Sequence, residues 1–175
     1  MSRCRKIRIV IGSVIALATG LNLYFQYQSH QEQFQLKASF EEQDNIAVLQ
    51  HLMDSGKYTS DMRKAGYIVP SDGAIRLDGG IDSIEIKGDI DLKISHPGRN
   101  GVTAYFEIEI DGKITSVLYE LDKNFDLTSS AYFQINEKNI NERVTIPKVE
   151  EERLLKIVQK ELDGFMKKIY QTLYG

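Results

Sequence analysis

Between Arg8 and Glu32 lie 23 consecutive residues without a lysine, arginine, aspartate or glutamate. Within them, residues 9–25 read IVIGSVIALATGLNLYF, apolar apart from small residues, Thr19 and Asn22. As a helix that run spans about 26 Å at roughly 1.5 Å per residue, just under the roughly 30 Å hydrocarbon core of a bilayer. Tyr24, Phe25 and Tyr27 extend it with rings suited to a membrane–water interface. Arg3, Arg5, Lys6 and Arg8 precede the run and no basic residue directly follows it. By the positive-inside rule the N-terminus stays in the cytoplasm and the rest of the chain lies outside, in a periplasm or at the cell exterior. The expected organisation is a basic cytoplasmic segment (1–8), a transmembrane anchor (9–27), a polar, Gln-rich juxtamembrane stalk (28–38) and one extracytoplasmic α+β domain (39–175). A cleaved signal peptide is the competing reading, since Ala16-Leu17-Ala18 is an A-x-A site. The apolar run continues seven residues past Ala18, which favours the anchor. Cys4 lies inside the basic segment, before the apolar run, so a lipoprotein is excluded.

The net charge of −3 hides a split. Beyond Arg8 there are 18 basic residues against 25 acidic ones. An acidic body is a poor match for phosphate backbones, so nucleic acid is not an expected partner. A lone Cys4 builds neither an internal disulfide nor a zinc site. Three scattered histidines, His30, His51 and His96, do not suggest a metal centre or a triad, and no cofactor is expected.

The body reads as helix, four-stranded antiparallel meander and C-terminal amphipathic helix. Ser39-Phe40-Glu41-Glu42 matches a capping box, predicting a helix to about residue 55. Its apolar stripe is Val48, Leu49, Leu52 and Met53, with Gly56 as its stop. A short helix over residues 60–65 ends at Gly66, and Pro70-Ser71-Asp72-Gly73 reads as a turn. Ile84, Ile86, Ile90, Leu92 and Ile94 all fall on even numbers with polar residues between. That alternation predicts one long strand, with Gly88 as a bulge or bend. A second strand carries Ala104, Phe106, Ile108 and Ile110, and Asp111-Gly112 supplies a two-residue hairpin turn. Residues 114–121 and 127–135 complete the meander. After Pro147, Leu154, Val158, Leu162, Phe165, Ile169 and Leu173 recur at spacings of three and four, an amphipathic helix to cover the sheet.

Chemistry-bearing patterns are sparse. No glycine-rich loop joins a strand to a helix, and Gly79-Gly80 reads as a turn. Asp78, Asp82, Asp89 and Asp91 lack the spacing and closing glutamate of a calcium loop. No nucleophile accompanies a histidine, so no catalytic residue is assigned and enzymatic activity is not expected. Tyr105, Tyr119 and Tyr132 fall on three successive strands. They are the candidate partner-binding residues if they line one exposed side of the sheet; cross-strand aromatic packing is the alternative.

Residues 88–135 contain Asn100-Gly101-Val102-Thr103-Ala104-Tyr105-Phe106 and Phe125-Asp126-Leu127. In these motifs the stretch resembles the soluble domain of the single-pass cytochrome-oxidase-assembly and inner-membrane-translocase family. The resemblance implies a transmembrane helix, a helical segment and a curved meander, with no catalytic residues. The C-terminal helix is extra to that plan. The hairpin Tyr105-Phe106-Glu107-Ile108-Glu109-Ile110-Asp111-Gly112 also looks like that of PepSY domains. The expected function is a non-enzymatic interaction or assembly factor for a membrane protein complex. The alternatives are a small ligand-binding or inhibitory domain, or a small hydrolase with a pocket between helices and sheet.

Overall fold

A computed structural model describes residues 3–54, 56–69, 80–98, 101–135 and 141–175, with side chains from residue 17 onward. The turn expected at Pro70–Gly73, together with Asp78, Gly79 and Asn100, lies outside the described residues. The chain divides into two compact units, residues 1–38 and 39–175.

The first unit is a helix. α1 spans Arg3–Glu41 and runs through the expected anchor and stalk without a break. The side chains of Leu17, Leu21, Leu23 and Phe25 stand exposed on several sides of it. Among the described residues, no helix is long and apolar enough to cross a membrane; the side chains of residues 9–16, the first half of the expected span, are not described.

The second unit is α+β. Ser39 does not open a helix, contrary to the capping-box reading; residues 39–41 are the last turn of α1. There the Asp44 N–H donates to the Ser39 carbonyl (3.0 Å), the Gln43 N–H donates to Phe40 (3.2 Å) and Gln43 adopts φ +56°. The next helix, α2 (Asn45–Asp54), is instead opened by Asp44, whose carboxylate accepts the Ala47 N–H at 3.0 Å. Val48, Leu49, Leu52 and Met53 are its buried stripe, as the spacing predicts. Gly56 begins a 3-10 turn (Gly56–Tyr58) rather than serving as a left-handed stop, and α3 follows (Thr59–Lys64). At Gly66 the chain turns away, with the Tyr67 N–H donating to the Met62 carbonyl at 3.0 Å.

The sheet has six strands, not the four expected: β1 (Ser83–Lys87), β2 (Asp91–Ser95), β3 (Val102–Ile110), β4 (Lys113–Leu121), β5 (Leu127–Ile135) and β6 (Asn141–Val144). Each pairs antiparallel with its neighbour in chain order. The long first strand is a hairpin, because the chain folds back around Asp89 and pairs Ile84 with Ile94 and Ile86 with Leu92. Gly88 is thus the bend of the two expected alternatives and not a bulge, and Ile90, at the tip, leaves the buried row. The sixth strand reads NERV and carries no apolar alternation, so nothing in its pattern announces it. Asp111 and Gly112 have φ of +52° and +75°, the two left-handed residues of the expected tight turn.

One face of the sheet carries the core. Ile84, Ile86, Leu92, Ile94, Val102, Ala104, Phe106, Val117, Tyr119, Leu121 and Tyr132 are all buried there. α4 (Lys148–Tyr174) supplies the opposing apolar stripe, with Leu154, Val158, Leu162, Phe165, Met166 and Ile169 buried. Pro147 precedes its first turn with φ −59°, as a helix-opening proline does. Leu173 is only half-buried. Near the C-terminal end of α4, Tyr170 and Tyr174 pack edge-on to Phe40, with ring centroids 5.4 and 6.3 Å away.

Polar contacts fix the rim. The Glu161 carboxylate accepts the Asp89 N–H at 3.0 Å, and Lys160 Nζ lies 2.7 Å from Asp89 Oδ2, so the β1–β2 turn is tied to α4. In the β4–β5 turn, Asp122 Oδ1 accepts the N–H groups of Asn124 (2.8 Å) and Asp126 (3.0 Å). Phe125 sits in that turn at φ +62° with its ring fully in the core. Its carbonyl accepts a hydrogen bond from Gln159 Nε2 on α4 at 3.0 Å.

Candidate functional site

The three tyrosines do not share a face. Tyr119 and Tyr132 point into the interior beneath α4, and Tyr105 points out of the opposite side. The cause is register. Ala104 pairs with Tyr119 and Tyr105 with Leu118, so Tyr105 sits one step off the inner row. Val117 then pairs with Tyr132, which keeps Tyr132 on the inner row. Hence Tyr119 and Tyr132 belong to the packing alternative, and only Tyr105 is available to a partner.

Inside, Phe106, Tyr119 and Tyr132 form an edge-to-face ladder, with centroids 5.5 and 6.1 Å apart. Burying a phenol requires a partner for its hydroxyl, and here Glu151, in the first turn of α4, provides one. Its Oε1 accepts the Tyr132 hydroxyl at 2.6 Å and the Ser130 hydroxyl at 2.7 Å. The Tyr119 hydroxyl donates to the Glu151 main-chain carbonyl at 3.4 Å and lies 3.3 Å from that of Tyr132. Desolvation drives the Tyr119 phenol far above its ordinary value, and its bond to Tyr132 adds to the rise. Desolvation also raises Tyr132, with the Glu151 bond second. The bonds from Tyr132 and Ser130 hold the Glu151 carboxyl below the usual range. Neither Glu151 nor Ser130 stands out in the sequence; an acidic residue in a first helical turn is the only advance signal.

The cluster is a structural clasp, and its charge makes it sensitive to pH. A carboxylate whose folded pKa is depressed contributes stability above its unfolded pKa, about 4.3 for Glu, and loses it as pH falls through the folded value. Glu151→Gln is therefore expected to lower stability by about 1–3 kcal/mol at pH 7. The gap should close as the pH drops below about 4. Raised phenols act in the opposite sense: their contribution is complete below about pH 10 and is lost as pH climbs through the folded values. Melting temperatures of both proteins across pH 2–7 check the carboxylate; parallel curves over that range would refute its role.

The outer face is different in kind. Tyr105, Leu118, Ala131 and Phe133 are half-buried along it. Ile114 and Ile135, 67% and 66% exposed, flank the last β4–β5 pair, Thr115 with Gln134. The Tyr105 hydroxyl donates to Glu107 Oε1 at 2.5 Å, and that bond raises its pKa. Beside it lies a shallow groove of about 330 Å³, with Lys87, Asp91, Lys93, Tyr105 and Glu107 in its walls. An ion pair links Lys87 and Asp91 on this surface at 2.5 Å.

A second, open cleft of about 470 Å³ lies at the end of the sheet, bounded by His96, Thr103, Glu120 and Thr128. His96 Nε2 lies 2.7 Å from Asp54 Oδ1, tying the loop after β2 to the end of α2. The arrangement orients an imidazole without offering it a Ser or Cys nucleophile among the described cleft residues. Among the described residues no group of three or more His, Cys, Asp or Glu side chains is placed to hold a metal ion.

Comparison with known proteins returns no match: no family model, no curated protein and no solved structure corresponds to this chain.

Proposed function

We propose that this chain is a membrane-anchored, non-enzymatic interaction module. Residues 9–27 hold it in the bilayer, and the domain outside the cytoplasm binds another membrane protein through the outer face of its sheet. The observation that carries the reading is the one-sidedness of that sheet. Its inner face is closed by α4, whereas on the outer face Ser83 alone is buried among the described strand residues. A six-stranded sheet with half-buried Tyr105, Leu118 and Phe133 and exposed Ile114 and Ile135 offers apolar contact ringed by charge, the composition of a protein-binding surface. Tyr119, Tyr132 and Glu151, whose proton affinities are shifted, bond one another and line neither cleft, which weighs against a catalytic pocket there. For the anchor, the exposed leucines and rings of α1 are suited to lipid and not to water. The resemblance of residues 88–135 to the oxidase-assembly family suggests the kind of partner, a membrane protein complex.

The test is affinity purification of the detergent-solubilised full-length chain, wild type against the Ile114→Asp/Ile135→Asp double variant. Both sites are on the surface, so the melting free energy should change by no more than about 0.5 kcal/mol per site. The co-purifying membrane protein should be lost. Equal recovery of that protein with the variant, or extraction of the chain from membranes by carbonate, overturns the reading.

A further inference from the structure

The apolar side chains of the outer sheet face are gathered in one strip. β4 contributes Ile114 and Leu118 and β5 contributes Phe133 and Ile135, with Ser116 and Ala131 between them. From Ile114 to Leu118 the strip runs about 14 Å at roughly 3.4 Å per residue. Its two borders differ in charge. On the β3 side Glu109 pairs with Ile114 and Glu107 with Ser116, both glutamates exposed, and exposed Asp111 follows in the turn. On the β6 side Arg143 pairs with Phe133 and Asn141 with Ile135. Neither Glu109 nor Arg143 enters an ion pair among the described residues. The hydroxyls of Tyr105 and Ser116 donate to Glu107 Oε1, and neither offsets its negative charge.

We propose that this strip receives an amphipathic helix of the partner, lying along β4 and β5 with its apolar stripe on the sheet and lysine or arginine side chains over β3. The proposal rests on the reading that the outer face binds a membrane protein, and adds which part of that protein it takes. Width selects a helix. Neighbouring strands lie about 4.8 Å apart, and a helix with its side chains is about 10–12 Å across. A helix centred between β4 and β5 therefore presses on those two strands and sets its flanks over β3 and β6, where the charges stand. Length fits as well: about 14 Å is roughly nine helical residues, enough for anchors at i, i+3 or i+4, and i+7. An extended segment stacked flat on the same strip would leave its own backbone N–H and C=O groups without partners. Charge then sets the flanks. Glu107, Glu109 and Asp111 on one border call for cations and repel anionic lipid headgroups. Arg143 on the other border favours an acidic side chain there, so the two borders together select one orientation of the helix.

The test uses the full-length chain in native membranes, with a photo-crosslinking amino acid in place of Ile114, Ser116 or Ile135 and mass spectrometry of the residues captured. The captured partner residues should fall three or four positions apart, with lysine or arginine among the residues between them. Glu107→Lys/Glu109→Lys should weaken the cross-link from position 114 at least about 10-fold, because it sets cations against cations. Glu109 holds no hydrogen bond among the described residues, so Glu109→Lys alone serves if the double variant melts below wild type. Captured residues at alternate positions, a second copy of this chain, or lipid as the product each overturn the helix. A protein cross-link that both charge variants leave at wild-type strength refutes the basic helix alone. A face that captures no protein at all refutes the helix together with the reading on which it rests.

Discussion

Leu162→Asp is expected to abolish cooperative melting of the 39–175 domain. Leu162 is fully buried at the middle of the α4 stripe. The substitution removes a side chain whose burial is worth about 1.5–3 kcal/mol. It also places a carboxylate in the core at a further penalty of several kcal/mol. Against a net stability of about 5–15 kcal/mol for a domain, the combined loss is decisive. Near-UV circular dichroism of the purified full-length chain should lose the signal of the Phe106–Tyr119–Tyr132 ladder, while Leu162→Met retains it. A cooperative melt in the aspartate variant would show that α4 is not integral to the core.

Phe125 carries the second large effect, and the sign of a comparison is its sharpest part. Truncating a buried phenylalanine to alanine costs about 3–5 kcal/mol. Here the residue also sits at φ +62°, a conformation that disfavours any β-carbon. In most loops glycine destabilises more than alanine, because the unfolded chain gains freedom. At this position the order should reverse, with Phe125→Gly more stable than Phe125→Ala by about 1 kcal/mol. Urea denaturation of the two variants checks it. If alanine proves the better replacement, the turn relaxes out of the left-handed region once the ring is gone.

Much of the fold was legible in the residues, and the failures have definite causes. The α4 stripe, the Asp111-Gly112 turn and the β3, β4 and β5 strands follow from periodicity and turn chemistry alone. The β1–β2 hairpin was hidden because residues paired across it share the parity of their numbers, as Ile84 and Ile94 do. A straight strand and this hairpin therefore write the same even-numbered row. β6 was hidden because an edge strand pairs through its backbone, and NERV has no face to bury. Ser39 misled because a capping box is a local signal, and the helix already running through it took precedence. The tyrosines misled for want of register. A two-residue turn reverses parity between the strands it joins, so Tyr105 and Tyr119, both odd, fall on opposite faces. That inference was open to the sequence once the turn was recognised; the Glu151 clasp was not, because it joins β5 to α4 across a distance that no local pattern spans.

The order of the elements along the chain has a consequence for timing. Every strand of the sheet pairs with its immediate neighbour in chain order, so the meander can assemble hairpin by hairpin as it is synthesised. Its inner face lacks the cover of α4, whose stripe of Leu154, Val158, Leu162, Phe165, Met166 and Ile169 is buried, until that helix follows. At about 5–20 residues per second, the 27 residues of α4 leave that apolar face without this cover for roughly one to five seconds in each nascent chain. During this interval the chain is at its most adhesive. A ribosome stalling within α4 would lengthen the exposure and leave every strand made without the helix that completes the core.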